Sequence, residues 1–283
     1  MSTTRRNFVA GASLLGLGFT TDALPRVAGT PGKRVPDLTV PEENLTAVVR
    51  MAASLKEEDV PWWFDGTIYG IVGDEQPRPI LKFEGMEIYW MRHLPGNEYE
   101  LIGNTVTFFR DLETGRMIDK FQNPWTGKEN TVAVATQGGG AGGGFNYSVK
   151  GIRFTKAMAQ IPDKPLVLDW SFARDMVWLH AETAYPPGMA PPRAQRRSMF
   201  APLKALVDRK LASLPTVFTA TVFNPWPRWM EMAGQPGHVV WHASGVKLKD
   251  ISELPEEYRR RVEQEYPKLL TANPSRAGAI VLP

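Results

Sequence analysis

The chain has 283 residues, of which 43% are apolar and 22% charged, and these values are ordinary for a globular protein. A formal net charge of +3 leaves no electrostatic footprint for nucleic acid. The sequence contains no cysteine, which excludes disulfides, thiolate nucleophiles and Cys-ligated metal sites. Its 25 glycines, 24 prolines and 9 tryptophans favour a β-rich fold over a helical bundle.

The first thirty residues have the pattern of an export signal. The segment Thr4 to Val9, with its pair Arg5 and Arg6, resembles the twin-arginine signal. The apolar stretch from Phe8 to Phe19 that follows is too short to serve as a membrane anchor. We therefore expect residues 1–30 to be a signal peptide that engages the twin-arginine translocase. The mature protein, residues 31–283, is then a single soluble periplasmic domain without a membrane anchor.

Apolar periodicity predicts one helix and then a long β region. Leucine, valine and alanine recur at helical spacing over 41–57, with Pro41 in the first turn. From Trp62 onward the period changes to two, which indicates strands. The predicted strands are 66–72, 80–93, 99–110, 116–122, 130–135, 145–155, 165–171, 176–184, 216–224 and 238–247.

Turn chemistry and two further helices complete the predicted order. "LPGN", "LETGR" and "PWTGK" carry the turn residues of short connections between antiparallel strands. Helical spacing also predicts helices over 199–213 and 255–270, the second with Ser252 as a cap and ended or kinked by Pro267. Together these elements predict a mainly β, antiparallel β-barrel-like domain (calycin/lipocalin-like) with two or three peripheral helices. An open, strongly curved sheet packed on helices is the alternative.

Two conspicuous segments are interpreted as loops. "GGGAGGG" at 138–144 contains G-x-G-x-x-G, but a strand pattern follows it instead of the helix that a dinucleotide site requires. A flexible loop, placed over a pocket mouth, is the better interpretation. The basic run from Arg193 to Arg197 is interpreted as a solvated loop.

The strongest candidates for chemistry lie in "VWLHAETAY". In a strand, Trp178, His180 and Glu182 share one face, while Val177 and Leu179 share the other. The first face brings an aromatic ring, an imidazole and a carboxylate together. If that face looks into a barrel, it lines a pocket in which His180 and Glu182 transfer protons.

A second pair of histidines lies in "GHVVWHASG". As a strand, this segment places His238 and His242 on one face, about 13 Å apart and too far to share one metal ion. His242, in mid-strand, is the better candidate to assist His180 and Glu182. No cofactor is predicted, although a divalent metal held by His180, Glu182 and His242 stays an alternative.

Further polar and aromatic residues complete the candidate site. Arg92 shares an apolar face with Trp90, and an arginine in such a place pairs with a carboxylate or holds an anionic or carbonyl group. Arg92 or Tyr89 is therefore expected to polarise a substrate oxygen. The residues expected to line a pocket for a planar or apolar molecule are Trp90, Trp178, Trp226, Trp229, Tyr147 and Asn146.

Several long strings together resemble one known family. They include "WWFDGTIYGIVGDEQPRPILKFEGMEIYW", "TVTFFRDLETGRMIDKFQNPWTG", "VWLHAETAYPPG" and "PGHVVWHASGVKL", which cover most of the chain from about 40 to 275. The chain is thereby similar to domain-of-unknown-function family 1838, found in bacteria and fungi. The resemblance implies no activity and no catalytic residues.

The residues themselves support three functional hypotheses. The first is a cofactor-independent acid/base enzyme, of lyase or isomerase type, acting on a small apolar or aromatic oxygenated molecule. The second is a non-catalytic binding protein for an apolar small molecule. The third is a His/Glu metal-dependent enzyme. The sequence does not specify the substrate or the oligomeric state.

Overall fold

The sheet is joined where its first strand pairs with its last. In the computed structural model, which describes residues 34–137, 144–154, 165–184 and 194–277, β1 (Asp59–Ile71) pairs antiparallel with β13 (His238–Lys247). The register runs from Trp62 opposite Lys247 to Ile71 opposite His238. This pairing connects a meander from the N-terminal half of the chain to a meander from the C-terminal half.

Eleven of the thirteen strands in the described ranges belong to this one antiparallel sheet. Its order is β8-β7-β3-β2-β1-β13-β12-β11-β10-β9, with β6 paired to β3. A separate small sheet contains β4 and β5. The remaining strands are β2 (Arg78–Leu94), β3 (Glu98–Arg110), β4 (Lys120–Gln122), β5 (Glu129–Thr131), β6 (Ala135–Gln137), β7 (Phe145–Ser148), β8 (Gly151–Phe154), β9 (Asp169–Ala173), β10 (Met176–Ala184), β11 (Ala194–Pro202) and β12 (Val217–Asn224).

Four short α-helices accompany the sheet in the described part of the chain. They are α1 (Pro41–Ala52), α2 (Leu203–Val207), α3 (Glu256–Glu265) and α4 (Pro274–Ala277). Short 3₁₀ turns occupy Arg228–Met230, Ile251–Glu253 and Pro267–Leu270. None of the helices in the described ranges is long and apolar enough to cross a membrane.

Alternation along the strands gives the curled sheet two faces. The face whose side chains form the main core is called the inner face. The opposite face is called the outer face. Inward-facing core residues include Val60, Trp62, Phe64, Ile68, Leu81, Phe83, Met199, Phe218, Val239 and Ala243. On β1 to β3 the outer face is apolar as well, and α3 covers it with Tyr258 and Val262.

Glycines on the inner face make room for aromatic rings. Phe64 lies across Gly85 on the neighbouring strand, and Phe218 lies across Gly245 in the same way. A β-carbon at either glycine would overlap the phenyl ring. These positions therefore require glycine, and they let large rings lie flat against a strongly curled sheet.

Helix α1 packs on the inner face, and strand residues cap its end. The Nζ of Lys247 donates hydrogen bonds to the carbonyls of Arg50 (2.9 Å) and Ala53 (3.0 Å). The indole Nε1 of Trp62 donates to the carbonyl of Ala52 at 3.1 Å. The last carbonyls of a helix lack intrahelical partners. The sheet supplies those partners and thereby fixes the end of α1.

The predicted antiparallel, mainly β fold is confirmed, and the sheet has the form of a curled half-barrel. The strands predicted over 176–184 and 238–247 match β10 and β13 residue for residue. The domain limit at residue 31 stays a prediction. The signal peptide and the "GGGAGGG" segment up to residue 143 lie outside the described residues.

Three of the sequence predictions are wrong. The helix over 199–213 is instead the end of β11 followed by the five residues of α2. The basic run is not a loop at residues 194–197, because β11 begins at Ala194. Ser252 does not cap α3, which begins after Pro255, and Asp250 caps the preceding 3₁₀ turn. In the first two cases the period-two pattern of "AQRRSMFAP" was hidden by its charged residues.

Tyr258 gives a direct test of the docking of α3. Its ring packs against Phe108, and its hydroxyl donates to the carbonyl of Val106 at 2.7 Å. We expect Tyr258→Phe to lower the free energy of unfolding by about 1 kcal/mol and Tyr258→Ala by about 3–5 kcal/mol. Denaturant unfolding measures both. The exposed Phe223→Ala is the control and should change it by less than about 0.5 kcal/mol; equal effects at the two positions would contradict this packing.

Candidate functional site

The histidine and glutamate predicted for catalysis lie on the outer face. Val177 and Leu179 of β10 are buried in the core, so the alternate residues point away from it. His180 is half-buried, and the side chain of Glu182 is 72% exposed with Arg196 at 3.6 Å. The predicted sharing of faces is correct, but this face does not look into the half-barrel.

The hydrogen bonds of His180 define which ring nitrogen carries the proton. The Nε1 of Trp178 donates to Nε2 of His180 at 3.1 Å. An indole N–H is a donor only, so Nε2 must accept. In the neutral ring the proton therefore lies on Nδ1, which contacts Oγ of Ser198 at 2.8 Å. This tautomer donates to the serine hydroxyl and cannot act as its base.

The structure does not bring His242 to the other two residues. Glu182 is opposite Arg196, Arg196 is opposite Thr221, and Thr221 is opposite His242. Three strand spacings separate the first and last residues of this row, which is about 14 Å. His242 is exposed and contacts Thr221 Oγ1 at 3.2 Å. Across the described ranges, no three His, Asp or Glu side chains are grouped closely enough to hold a metal ion.

Other predicted residues also lie outside the interior. Arg92 is 47% exposed and forms an ion pair with Glu100, one of the two roles expected for it. Trp90 packs on the outer face against the cluster that contains α3. Trp178 lies beside His180 on the outer face.

Two tryptophans and two tyrosines have their side chains in the main core cluster. Trp226 packs edge-on against Trp125 at a centroid distance of 5.1 Å, and Trp229 packs against Phe109 at 5.6 Å. Both tryptophans pack against the main core cluster. Asn146 and Tyr147 lie on opposite faces of β7, as predicted, and Tyr147 is buried in the core. Tyr89 points to the same inner face.

The structure brings Tyr89 together with two charged residues that sequence reasoning missed. The hydroxyl of Tyr89 donates to Oε2 of Glu87 at 2.5 Å. The Nη1 of Arg197 donates to the same Oε2 at 3.1 Å and to the Tyr89 hydroxyl at 3.2 Å. Each group contacts the other two. We call Glu87, Tyr89 and Arg197 the inner-face triad.

The triad spans the interior of the half-barrel. Arg197 belongs to β11 and Glu87 to β2, and β1, β13 and β12 lie between them in the sheet. Four strand spacings along the sheet amount to about 19 Å. The direct contact at 3.1 Å shows that the sheet curls enough for side chains on its two arms to meet.

Aromatic residues and one glycine position the triad. The guanidinium of Arg197 lies 3.8 Å from the centroid of the Phe218 ring and 5.1 Å from that of Trp62. Such stacking favours arginine over lysine. The ring of Tyr89 lies over Gly103, where a β-carbon would come within 2.9 Å of it.

Arg197 leaves part of its hydrogen-bonding capacity unused. Its Nε and Nη2 are buried and have no hydrogen-bond partner among the described residues. Arg50, also buried, shows the contrast, because its guanidinium donates to the carbonyls of Ala205, Leu206, Asp208 and Leu211. Arg50 has the partners of a structural residue, whereas Arg197 does not.

The electrostatics of the triad follow from burial and proximity. Burial, and then the Glu87 carboxylate, raise the pKa of the Tyr89 hydroxyl, so it stays protonated as a donor. Burial opposes the charge of Arg197, but Glu87 and Tyr89 raise the pKa of its guanidinium overall. Tyr147 lies near enough to interact electrostatically with both charges, and burial raises the pKa of its hydroxyl to about 12. The side chains of Arg197 and Glu87 are still 14% and 21% exposed, so solvent reaches the pair.

One sequence signal could have found the triad. In "FEGMEIYWM", Glu87 and Tyr89 occupy the same alternate positions as Phe83. In "AQRRSMFAP", Arg197 alternates in phase with Met199 and Ala201, both of which are buried. A charged residue in phase with a buried row indicates a buried charge. That the two charges meet follows from the curl of the sheet, which no local pattern shows.

The sequence matches one known protein family over most of its length. Residues 57–279 match the model of the family described as "Protein of unknown function (DUF1838)", and the chain belongs to it. No curated protein and no solved structure matches the chain.

The triad predicts a strong energetic coupling between its two charges. Glu87→Gln leaves the buried Arg197 uncompensated, and we expect the free energy of unfolding to fall by about 3 kcal/mol. Arg197→Met should have a similar effect, and the double variant should lose less than the sum because neither charge is then left alone. Denaturant unfolding of all three measures the coupling.

The control for this cycle is the surface carboxylate of Glu182. Its partner Arg196 is at 3.6 Å and both side chains are largely exposed, so Glu182→Gln should change the stability by less than about 1 kcal/mol. If Glu87→Gln is as mild as Glu182→Gln, or the double variant is strictly additive, the ion pair across the half-barrel does not exist as described.

Proposed function

We propose that the inner face of the half-barrel binds a small molecule with an apolar or aromatic body and an oxygen-bearing group. The protein would act on it as an acid/base enzyme of lyase or isomerase type. The chemistry uses side chains of this chain alone and requires no cofactor. The observation that supports this proposal is that the inner-face triad has polar groups without hydrogen-bond partners among the described residues, next to aromatic rings.

Glu87 is the proposed catalytic base. Its Oε2 accepts hydrogen bonds from Tyr89 and Arg197, which hold that oxygen in place. Its Oε1 accepts no hydrogen bond from the described residues, and the side chain is 21% exposed. A carboxylate held through one oxygen and free at the other can take a proton from a substrate atom and return it to another. Tyr89 is a positioning residue in this scheme.

The aromatic residues supply the rest of the proposed site. Trp62, Phe218 and Tyr147 lie close to the charged groups and form an apolar wall. Rings next to a fixed charge suit a molecule with an apolar body and one polar end. In this proposal, residues of the inner face take the catalytic roles first expected of His180, Glu182 and His242.

Hydrogen–deuterium exchange at carbon tests this proposal without a known product. The protein is incubated in D₂O with a panel of small aromatic and aliphatic ketones, lactones and acids, and proton NMR follows each C–H next to a carbonyl. We expect at least one compound to exchange in the presence of the protein, and Glu87→Gln to abolish that exchange.

Glu182→Gln is the matched control, since it removes a carboxylate from the outer face. It should exchange the same compound at the wild-type rate. Loss of exchange in Glu182→Gln with retention in Glu87→Gln would reverse the assignment of the site. Saturable binding without exchange of any compound would contradict the enzyme proposal and favour the binding-protein hypothesis.

We also propose that the protein is exported to the periplasm by the twin-arginine route. The support is the sequence of residues 4–19, in which the arginine pair precedes an apolar segment. Replacement of both Arg5 and Arg6 by lysine should leave the precursor in the cytoplasm, whereas Arg26→Lys in the same segment should not. Cell fractionation with immunodetection measures both. Export that is unaffected by the double replacement would contradict this route.

A further inference from the structure

Two basic side chains, Arg197 and Lys247, lie on the inner face near Trp62. Burial, and then repulsion from Arg197 and Arg50, lower the pKa of Lys247, which disfavours its charged form. Glu87 and Tyr89 raise the pKa of the Arg197 guanidinium, which therefore keeps its positive charge. Arg197 is thus the side chain of this pair with which an additional anion could interact.

Lys247 already has its own partners. Its Nζ donates to two carbonyls at the end of α1 and to Oγ of Ser213 at 3.1 Å. An ammonium group has three N–H bonds and a neutral amine has two, so these three contacts leave no donor for a ligand. The unused donors are therefore those of Arg197.

The free atoms of Arg197 have a specific geometry. Nε and Nη2 lie on one edge of the planar guanidinium, and their N–H bonds point in parallel directions. That edge matches the two oxygens of a carboxylate, which accept one hydrogen bond each. The Nη1 group on the far side is held by Glu87 and Tyr89, and Phe218 covers one face of the plane. The orientation of the edge is thus fixed in advance.

An unsatisfied buried donor is costly, and a bound group that accepts from it recovers that cost. A buried N–H without an acceptor has lost the hydrogen bond that it makes to water in the unfolded chain. The Nε and Nη2 atoms are shielded from solvent, so a charge-assisted hydrogen bond formed there is stronger than one in water.

We infer that the small molecule bound on the inner face carries a carboxylate, which Arg197 holds side-on through Nε and Nη2. This inference rests on the proposed function and narrows it to small aromatic or aliphatic carboxylic acids. Glu87 lies on the opposite side of the same guanidinium, where Nη1 of Arg197 donates to its Oε2. Arg197 thus holds the acid with one edge of the guanidinium and contacts Glu87 with Nη1.

Pairs of acids and their amides test the inference. Benzoate is compared with benzamide, and hexanoate with hexanamide, because each pair has one shape and differs in charge. We expect each acid to bind about tenfold more tightly than its amide, as a charge-assisted bidentate contact replaces a neutral one. NMR titration measures the dissociation constants and, on the wild-type protein, the Nε–H resonance of Arg197, which should shift with benzoate and not with benzamide.

Neighbouring arginines provide the variant and its control. Arg197→Lys keeps the charge but offers no parallel pair of donors, and it should lose the preference for the acid. Arg196→Lys changes the adjacent residue, whose side chain is 61% exposed on the outer face. This variant should keep the preference for the acid over the amide. If Arg197→Lys does not fold, the wild-type Nε–H shift decides.

The outcomes separate this inference from the function on which it rests. If amides bind as well as acids, or the Nε–H resonance of Arg197 is unmoved by either acid, the carboxylate inference is wrong. Persistence of Glu87-dependent deuterium exchange in that case retains the proposed enzyme. Absence of both binding and exchange rejects the two together.

Discussion

An ion pair that joins the two arms of a curled sheet is the constraint on which this structure depends. Arg197 and Glu87 are four strands apart in the sheet order and yet lie in direct contact. A guanidinium in such a place needs an anion nearby, since an unpaired buried charge is strongly unfavourable. The curl of the sheet and the placement of this pair are therefore one feature of the fold.

The rest of the interior supports that contact. Phe218 stacks on the guanidinium, and Trp62 lies between the triad and α1, whose last carbonyls it helps to cap. Lys247, which lies opposite Trp62 in the β1–β13 pairing, joins the same helix to the sheet. Arg50 and Lys247 have hydrogen-bond partners that hold the architecture, whereas Nε and Nη2 of Arg197 have none among the described residues. This difference is why the proposed chemistry is placed at the triad.

The sequence predicted the fold better than the site, for a physical reason. Period-two patterns and turn residues are local, and they located β10 and β13 and the antiparallel topology. The site depends on which face of a strand turns inward and on contacts between strands far apart in the chain. His180 and Glu182 share a face, as predicted. The apolar Val177 and Leu179 on the other face are the residues buried in the interior. Arg197 looked like part of a solvated basic run because Arg193 and Arg196 directly precede it in the sequence. Tyr89 and Tyr147 were identified as candidates, whereas their charged neighbours were not.

The decisive experiment is to locate a bound ligand on one face of the sheet. Intermolecular nuclear Overhauser effects can be measured between the aromatic compound that binds most tightly and the rings of the protein. If the triad is the binding site, we expect contacts to Phe218, Tyr147 and Trp62 on the inner face. Contacts to Trp178 on the outer face, with none to the inner-face rings, would contradict it.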